Sequence, residues 1–299
     1  VLGLAIGTLL MLTVGIYDDI RGARPVLKLL VQILAAVVCF KLGYQITLLT
    51  NPLSGGSFDL GWLSFPITVL WFVGLINAIN LIDGIDGLAS GVAFFACVTL
   101  FIISLTTGDI VNALLVAALG GAIVGFLFFN FNPATVFLGD TGSLFLGFIL
   151  AATSVAGSKK GYAALSILVP AMALGVPILD TSLAVLRRML TGKSLMSADR
   201  HHIHHRLLQR GLSQKQVVLA LYGLCALLAS VSLATVYLRN RLILGIILFA
   251  LGGFLLFSMR YLGYVAHIKD ERRSVFMQEL FGSISARTDQ LAAFQRALA

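Results

Sequence analysis

Asp18, Asp19, Asp83, Asp86 and Asp140 are the residues of this chain best placed to do chemistry. They stand at three short junctions between very apolar segments, where an isolated carboxylate is costly and usually functional. In Gly15-Ile16-Tyr17-Asp18-Asp19, adjacent like charges stay ionised together only if a cation or solvent offsets them, and one carboxyl with a raised pKa would suit a base. In Asn77-Ala78-Ile79-Asn80-Leu81-Ile82-Asp83-Gly84-Ile85-Asp86-Gly87, steps of three make Asn77, Asn80 and Asp83 successive neighbours along a helix end. All three supply the oxygen ligands that hard divalent cations prefer, but the ligand count and terminal Glu of an EF-hand are missing.

A third set runs Asn130-Phe131-Asn132-Pro133 and then Phe137-Leu138-Gly139-Asp140-Thr141-Gly142-Ser143. Asp140 there either caps the following helix or binds a metal while that helix turns backbone N–H groups toward phosphate. The fourth, Asp199-Arg200-His201-His202-Ile203-His204-His205-Arg206, holds four of the five histidines. Zinc would want a carboxylate or Cys at suitable spacing, whereas flanking arginines suggest anions, so phosphate binding and proton handling fit better. Asp180, in the preceding apolar segment, either pairs with Arg187 two turns later or lines the site. Together these are parts for holding a diphosphate through magnesium, which typically uses one or two protein carboxylates plus substrate phosphates.

The elements that position these groups must cross a membrane. Of 299 residues, 59% are hydrophobic and 11% charged, and the mean hydropathy is +0.98. Apolar runs predict about nine spans, near residues 1–17, 26–43, 65–80, 89–106, 112–129, 143–157, 162–186, 216–237 and 242–259. No period of two runs through them, so the fold class is all-α, a polytopic transmembrane helical bundle. The net charge of +8 does not imply a nucleic-acid partner, because the Lys and Arg residues fall in inter-helix loops. Alternation places Arg21, Arg24, Lys28, the 187–215 loop and the basic tail on one side, leaving only Lys41, Lys159, Lys160, Arg239 and Arg241 opposite. The positive-inside rule then makes the carboxylate loops cytoplasmic. Cys39, Cys97 and Cys225 read as small core residues.

Residues 44–64 read as an outer loop with hairpin chemistry. Residues 1–260 form the expected transmembrane catalytic domain. Residues 261–299 are the expected cytoplasmic amphipathic tail, with Val275, Phe276, Leu280 and Phe281 at helical spacing. The chain opens inside an apolar run without initiator Met or charged leader, and reads as shortened at its start.

The four motifs, with Pro25, Lys28 and Gln32 after the first, resemble in content and order the polyprenyl-phosphate N-acetylhexosamine-1-phosphate transferases. The resemblance implies a multi-pass enzyme of the bacterial inner membrane. It would move a sugar 1-phosphate from a UDP-N-acetylhexosamine to undecaprenyl phosphate, release UMP, and use magnesium or manganese. Asp18 and Asp19 would lie near the lipid phosphate, one as base or nucleophile. Asp140 would ligate the metal with Asn80, with Asp83 beside them as ligand and catalytic group. Asn77 joins the substrate-binding set; Asp86, Asn130 and Phe137 would hold the uracil, Phe137 by stacking. Lys28, Arg200, His201, His204, His205 and Arg206 would face the phosphates or sugar. His-Ile-His-His-Arg resembles the N-acetylglucosamine type, which begins O-antigen, lipopolysaccharide or teichoic-acid assembly. The alternatives are the phospho-MurNAc-pentapeptide transferase of peptidoglycan synthesis and, in another class, an ion-coupled transporter. A homodimer is left open. Two earlier spans with a basic Gly-Gly loop, usual in the family, have no counterpart here.

Overall fold

The computed structural model describes residues 2–50, 57–158, 168–191, 202–237 and 252–253. It divides into two compact units, one of residues 1–182 with 200–248, the other of 183–199 with 249–299. Among the described residues, the regular structure of the first unit is helical apart from one short hairpin. In chain order it contains α1 (Leu2–Arg21), α2 (Pro25–Lys41), β1 (Leu48–Thr50), β2 (Ser57–Asp59), α3 (Ser64–Ile82), α4 (Leu88–Thr106), α5 (Ile110–Asn130), α6 (Gly139–Ser158), α7 (Leu168–Ala173), the first part of α8 (Gly175–Thr191), α9 (Ile203–Gln209) and α10 (Gln214–Tyr237). Of the second unit, the described residues are the latter part of α8 and residues 252–253.

Six of the described helices are long and apolar enough to cross a membrane: α1, α3, α4, α5, α6 and α10. The predicted all-α bundle is therefore the observed fold class. The expected hairpin is present, antiparallel with Leu48 opposite Asp59 and Thr50 opposite Ser57. Residues 242–251, 254–259 and the 261–299 tail lie outside the described residues.

Two boundaries differ from the hydropathy reading for local reasons. The first helix continues to Arg21, because nothing breaks it before Gly22 at φ +73, and so Asp18 and Asp19 ride on its last turn. Pro25 then starts α2 at a position where a missing N–H costs nothing. The segment expected as one span over 162–186 is interrupted at Leu174, between α7 and α8. Pro177 lacks the N–H that would have bonded the carbonyl of residue 173, which accounts for a break at that point.

The centre of the first unit is α6, packed against α1 on one side and α3 on the other. Glycines permit both approaches: a Cβ on Gly15 would sit 2.5 Å from the Thr141 Cα, and one on Gly147 would sit 2.6 Å from the Ile76 Cα. Phe72 and Phe148, both fully buried, meet with ring centroids 5.6 Å apart. The tight α1–α6 seam brings the carboxylate pair at the end of α1 to the start of α6.

Candidate active site

Four helix ends and their loops meet at one end of the first unit. Lys28, on the first turns of α2, is the bridge: its Nζ donates to Asp18 Oδ2 at 2.5 Å and to Asp140 Oδ2 at 2.8 Å, joining residues 112 apart in sequence. The other Asp18 oxygen accepts from the Ala23 backbone N–H at 2.5 Å. Asp140 Oδ1 accepts from Asn80 Nδ2 at 2.5 Å, and the same amide reaches Ser143 Oγ at 2.9 Å. Asp18, Lys28, Asn80 and Asp140 thus form one continuous polar strip across α1, α2, α3 and α6.

Asp19 does something its neighbour does not. Its carboxylate accepts the Asp140 N–H at 2.9 Å, the Thr141 N–H at 3.0 Å and the Thr141 hydroxyl at 2.6 Å. It therefore caps α6 from another helix, satisfying N–H groups that an α-helix leaves without partners at its start. The N–H groups expected to face phosphate are, at Asp140 and Thr141, turned to this carboxylate.

Asp83 is the C-cap residue of α3. Burial, and then the nearby charges of Asp140, Asp19 and Asp86, push its carboxyl up to about 7. That excess of negative charge is what a divalent cation would relieve. Among the described residues no group of three or more His, Cys, Asp and Glu side chains could hold a metal alone. A magnesium ion bound by one or two carboxylates and otherwise by substrate phosphates fits this sparse donor set; a closed protein cage does not.

Asp86, in the turn between α3 and α4, is tied to the loop after α5. One of its oxygens accepts from Asn132 Nδ2 at 3.0 Å and from the Ala134 N–H at 3.1 Å, and Asn132 also donates to Gln214 Oε1 at 2.6 Å. Asn130 is buried at the end of α5, where Ser90 donates to its carbonyl and its amide bonds the Val136 carbonyl at 3.0 Å. Phe137, 73% exposed beyond it, presents an open ring. Asn77, one turn before Asn80 on α3, bonds none of the strip's four residues and instead donates to Gln32 Oε1 of α2 at 2.6 Å and to the Val73 carbonyl.

The His loop joins the same end through α9. His204 is buried, and its ring lies against Gly84, one residue from Asp83. Burial, reinforced by His205, lowers its pKa to about 4, so the ring is neutral near pH 7. His205 is tilted against it with centroids 4.3 Å apart, and Arg206 is buried in the same turn. His201 and Arg200 lie outside the described residues.

The sequence reading passed over Asn132, Thr141 and Tyr222. Asn132 carries a signal in its position before Pro133, and Thr141 in its position after Asp140. Tyr222, whose hydroxyl donates to the Gly87 carbonyl at 2.5 Å and so ties α10 to the start of α4, carries none.

This assembly of motifs has counterparts. Residues 1–158 match glycosyl transferase family 4, and the chain belongs to that family. It is 38% identical over 250 residues to a probable undecaprenyl-phosphate N-acetylglucosaminyl 1-phosphate transferase of Bacillus subtilis (strain 168), covering 82% of this chain and 70% of that protein. It is 35% identical to the decaprenyl-phosphate N-acetylglucosaminephosphotransferase of Mycobacterium leprae, covering 76% of this chain and 63% of that one. A phospho-N-acetylmuramoyl-pentapeptide-transferase of Desulforamulus reducens is 39% identical over 62% of this chain and 54% of its own length. The sequence-level resemblance to polyprenyl-phosphate N-acetylhexosamine-1-phosphate transferases therefore holds.

Proposed function

We propose that this protein transfers N-acetylhexosamine 1-phosphate, with N-acetylglucosamine the favoured sugar, from a UDP-sugar to undecaprenyl phosphate at the cytoplasmic face of a bacterial plasma membrane. The observation that carries this is the Lys28 bridge, which draws Asp18 and Asp140 into one strip with Asn80. A lipid phosphate oxygen forms a bond to the sugar-linked phosphorus of the donor, the bond between the two donor phosphates breaks, and UMP leaves with the electron pair.

The protein's part in such a transfer is placement and charge neutralisation. Lys28 supplies fixed positive charge between two carboxylates and orients Asp18 toward the acceptor phosphate. Asp18, held by Lys28 and the Ala23 N–H, is the better candidate to meet that phosphate, because Asp19 is committed to α6. If the acceptor arrives protonated, an Asp18 oxygen takes that proton. Asp86, fixed by Asn132, and the open ring of Phe137 suit the edge and face of uracil, with Asn130 buttressing their loop. Neutral His204 and its neighbours His205 and Arg206 approach the diphosphate from α9, and Arg200 and His201 are assigned to the same substrate on their place in the sequence motif. Asp83, Asp140 and Asn80 would hold magnesium, or manganese in its place, which when bound neutralises the diphosphate and the departing charge.

The test presents purified protein with undecaprenyl phosphate, magnesium and separate UDP-sugars, including UDP-N-acetylglucosamine and UDP-MurNAc-pentapeptide, and identifies the lipid diphosphate by mass spectrometry. UMP release that needs both the lipid and a UDP-N-acetylhexosamine supports the reading. Product from the MurNAc donor alone assigns the protein to peptidoglycan synthesis, and uptake of a solute into sealed vesicles without any lipid product would make it a transporter.

A further inference from the structure

A carboxylate outside the motif strip is tied to the His loop. Asp180 lies on α8 at 2% exposure, and His202 is likewise buried at 3%. Asp180 Oδ2 is 3.0 Å from His202 Nδ1, and Asp180 Oδ1 accepts the Ile203 N–H at 2.9 Å. A carboxylate oxygen can only accept, so this contact places the ring proton on Nδ1 of His202. The two bonds together fix the point where the chain enters α9.

What they fix it for is visible two residues on. The His202 ring stacks on His204, with centroids 5.8 Å apart and planes 2° from parallel. His204 is 1% exposed, and neither ring nitrogen has a hydrogen-bond partner among the described residues. A buried polar ring without partners is costly, so it stays only where its surroundings hold it. The far wall is Gly84, where even a Cβ would come 2.4 Å from His204 Nε2. The imidazole is thus gripped between His202, on the Asp180 side, and the turn that carries Asp83 and Asp86.

We infer that Asp180 is a positioning residue, acting through His202 to hold the His204 ring against Gly84 where it meets the donor diphosphate. This rests on the transferase reading for its substrate, but the grip itself stands on contacts within the protein. Sequence distance hides it: Asp180 precedes its partner by 22 residues and belongs to an apolar segment.

A mutant cycle tests it. Asp180→Ala should lower kcat by roughly 10- to 100-fold, the usual cost of losing a partner that orients a functional group. Asp180→Asn, whose single amide oxygen can accept from only one of the two donors, should fall between. In a His204→Ala background the Asp180→Ala factor should shrink to about unity, since coupled residues are not additive. An equal factor in both backgrounds would show a merely structural role and overturn the inference. Gly84→Ala presses on the ring from the other side and gives a second entry to the same cycle should Asp180→Ala fold poorly. It should impair turnover in the wild-type background and cost little beside His204→Ala; an equal cost in both overturns the inference too.

A chemical probe separates this from the functional reading. Carbethoxylation of His204 by diethyl pyrocarbonate, followed by mass spectrometry, should be slow in the wild type and faster in Asp180→Ala and Asp180→Asn. If no UDP-sugar yields product, the transferase reading fails and this probe alone decides; protection of His204 unchanged in both variants would end the positioning role.

Discussion

Two ends of the same bundle use an aspartate to begin a helix, and they do it in opposite ways. At the hairpin end Asp109 starts α5 locally, accepting the N–H of Asn112 three residues on, while Asn112 bonds Ser104 Oγ and the Thr153 carbonyl. At the motif end α6 carries an aspartate in its own first turn, yet the cap comes from Asp19, about 120 residues away on α1. The difference teaches how a carboxylate is released for chemistry. Because Asp19 satisfies the N–H groups of residues 140 and 141, Asp140 turns both of its oxygens to Lys28 and Asn80. A cap imported from a neighbouring helix leaves the local carboxylate for the reaction.

The comparison can be broken in stages. Lys28→Met removes the cation shared by Asp18 and Asp140 and should cost about 100- to 1,000-fold in kcat, on the scale of losing one preorganised donor; UMP release with the native donor measures it. Near-normal turnover would make the strip ornamental. Asp19→Ala should remove about 0.5–2 kcal/mol of stability, as cap losses do, and should also slow turnover because Asp140 loses its mounting. Thermal unfolding in detergent and the transferase assay report the two effects separately.

Acid should also distinguish the ends. His204 has its pKa lowered by burial to about 4 from 6.5, so the unfolded chain takes up the proton first. The His204 contribution to stability should therefore fall away as pH drops from about 6.5 toward 4, while Asp83, its carboxyl pushed up to about 7, acts in the opposite sense over the same range. In thermal melts, His204→Gln should remove the first contribution and leave a protein that gains stability on mild acidification. The smallest effect belongs to the hairpin end, where Asp109→Ala should cost about 1 kcal/mol of stability and leave turnover unchanged. A loss of activity there would mean that the two ends are coupled.

Much of this was legible in the residue order. The apolar runs gave the helices, and Pro25, Pro133 and Gly139 marked where motif loops begin and end. That Asp18, Asp83 and Asp140 would gather followed from odd and even spans ending on alternate sides. The partnerships were not legible. Whether Asp19 met substrate or a helix start depended on how near α1 comes to α6, which Gly15 permits but does not announce. Asn77 shares the three-residue spacing of Asn80 and Asp83, yet it bonds buried Gln32, since the spacing says nothing of which neighbour stands opposite. Pro170 and Pro177 were in plain view, but mean hydropathy averages over them, so 162–186 read as one uninterrupted span.

The contact of Gly15 with Thr141 has a mechanical corollary. With backbone against backbone at that seam and the Asp19 carboxylate stitched across it, the first and sixth helices move as a single rigid plank. Parting them would tear the Asp19 carboxylate from the backbone that mounts Asp140. Whatever door admits a long-chain lipid and a nucleotide must therefore swing on other hinges.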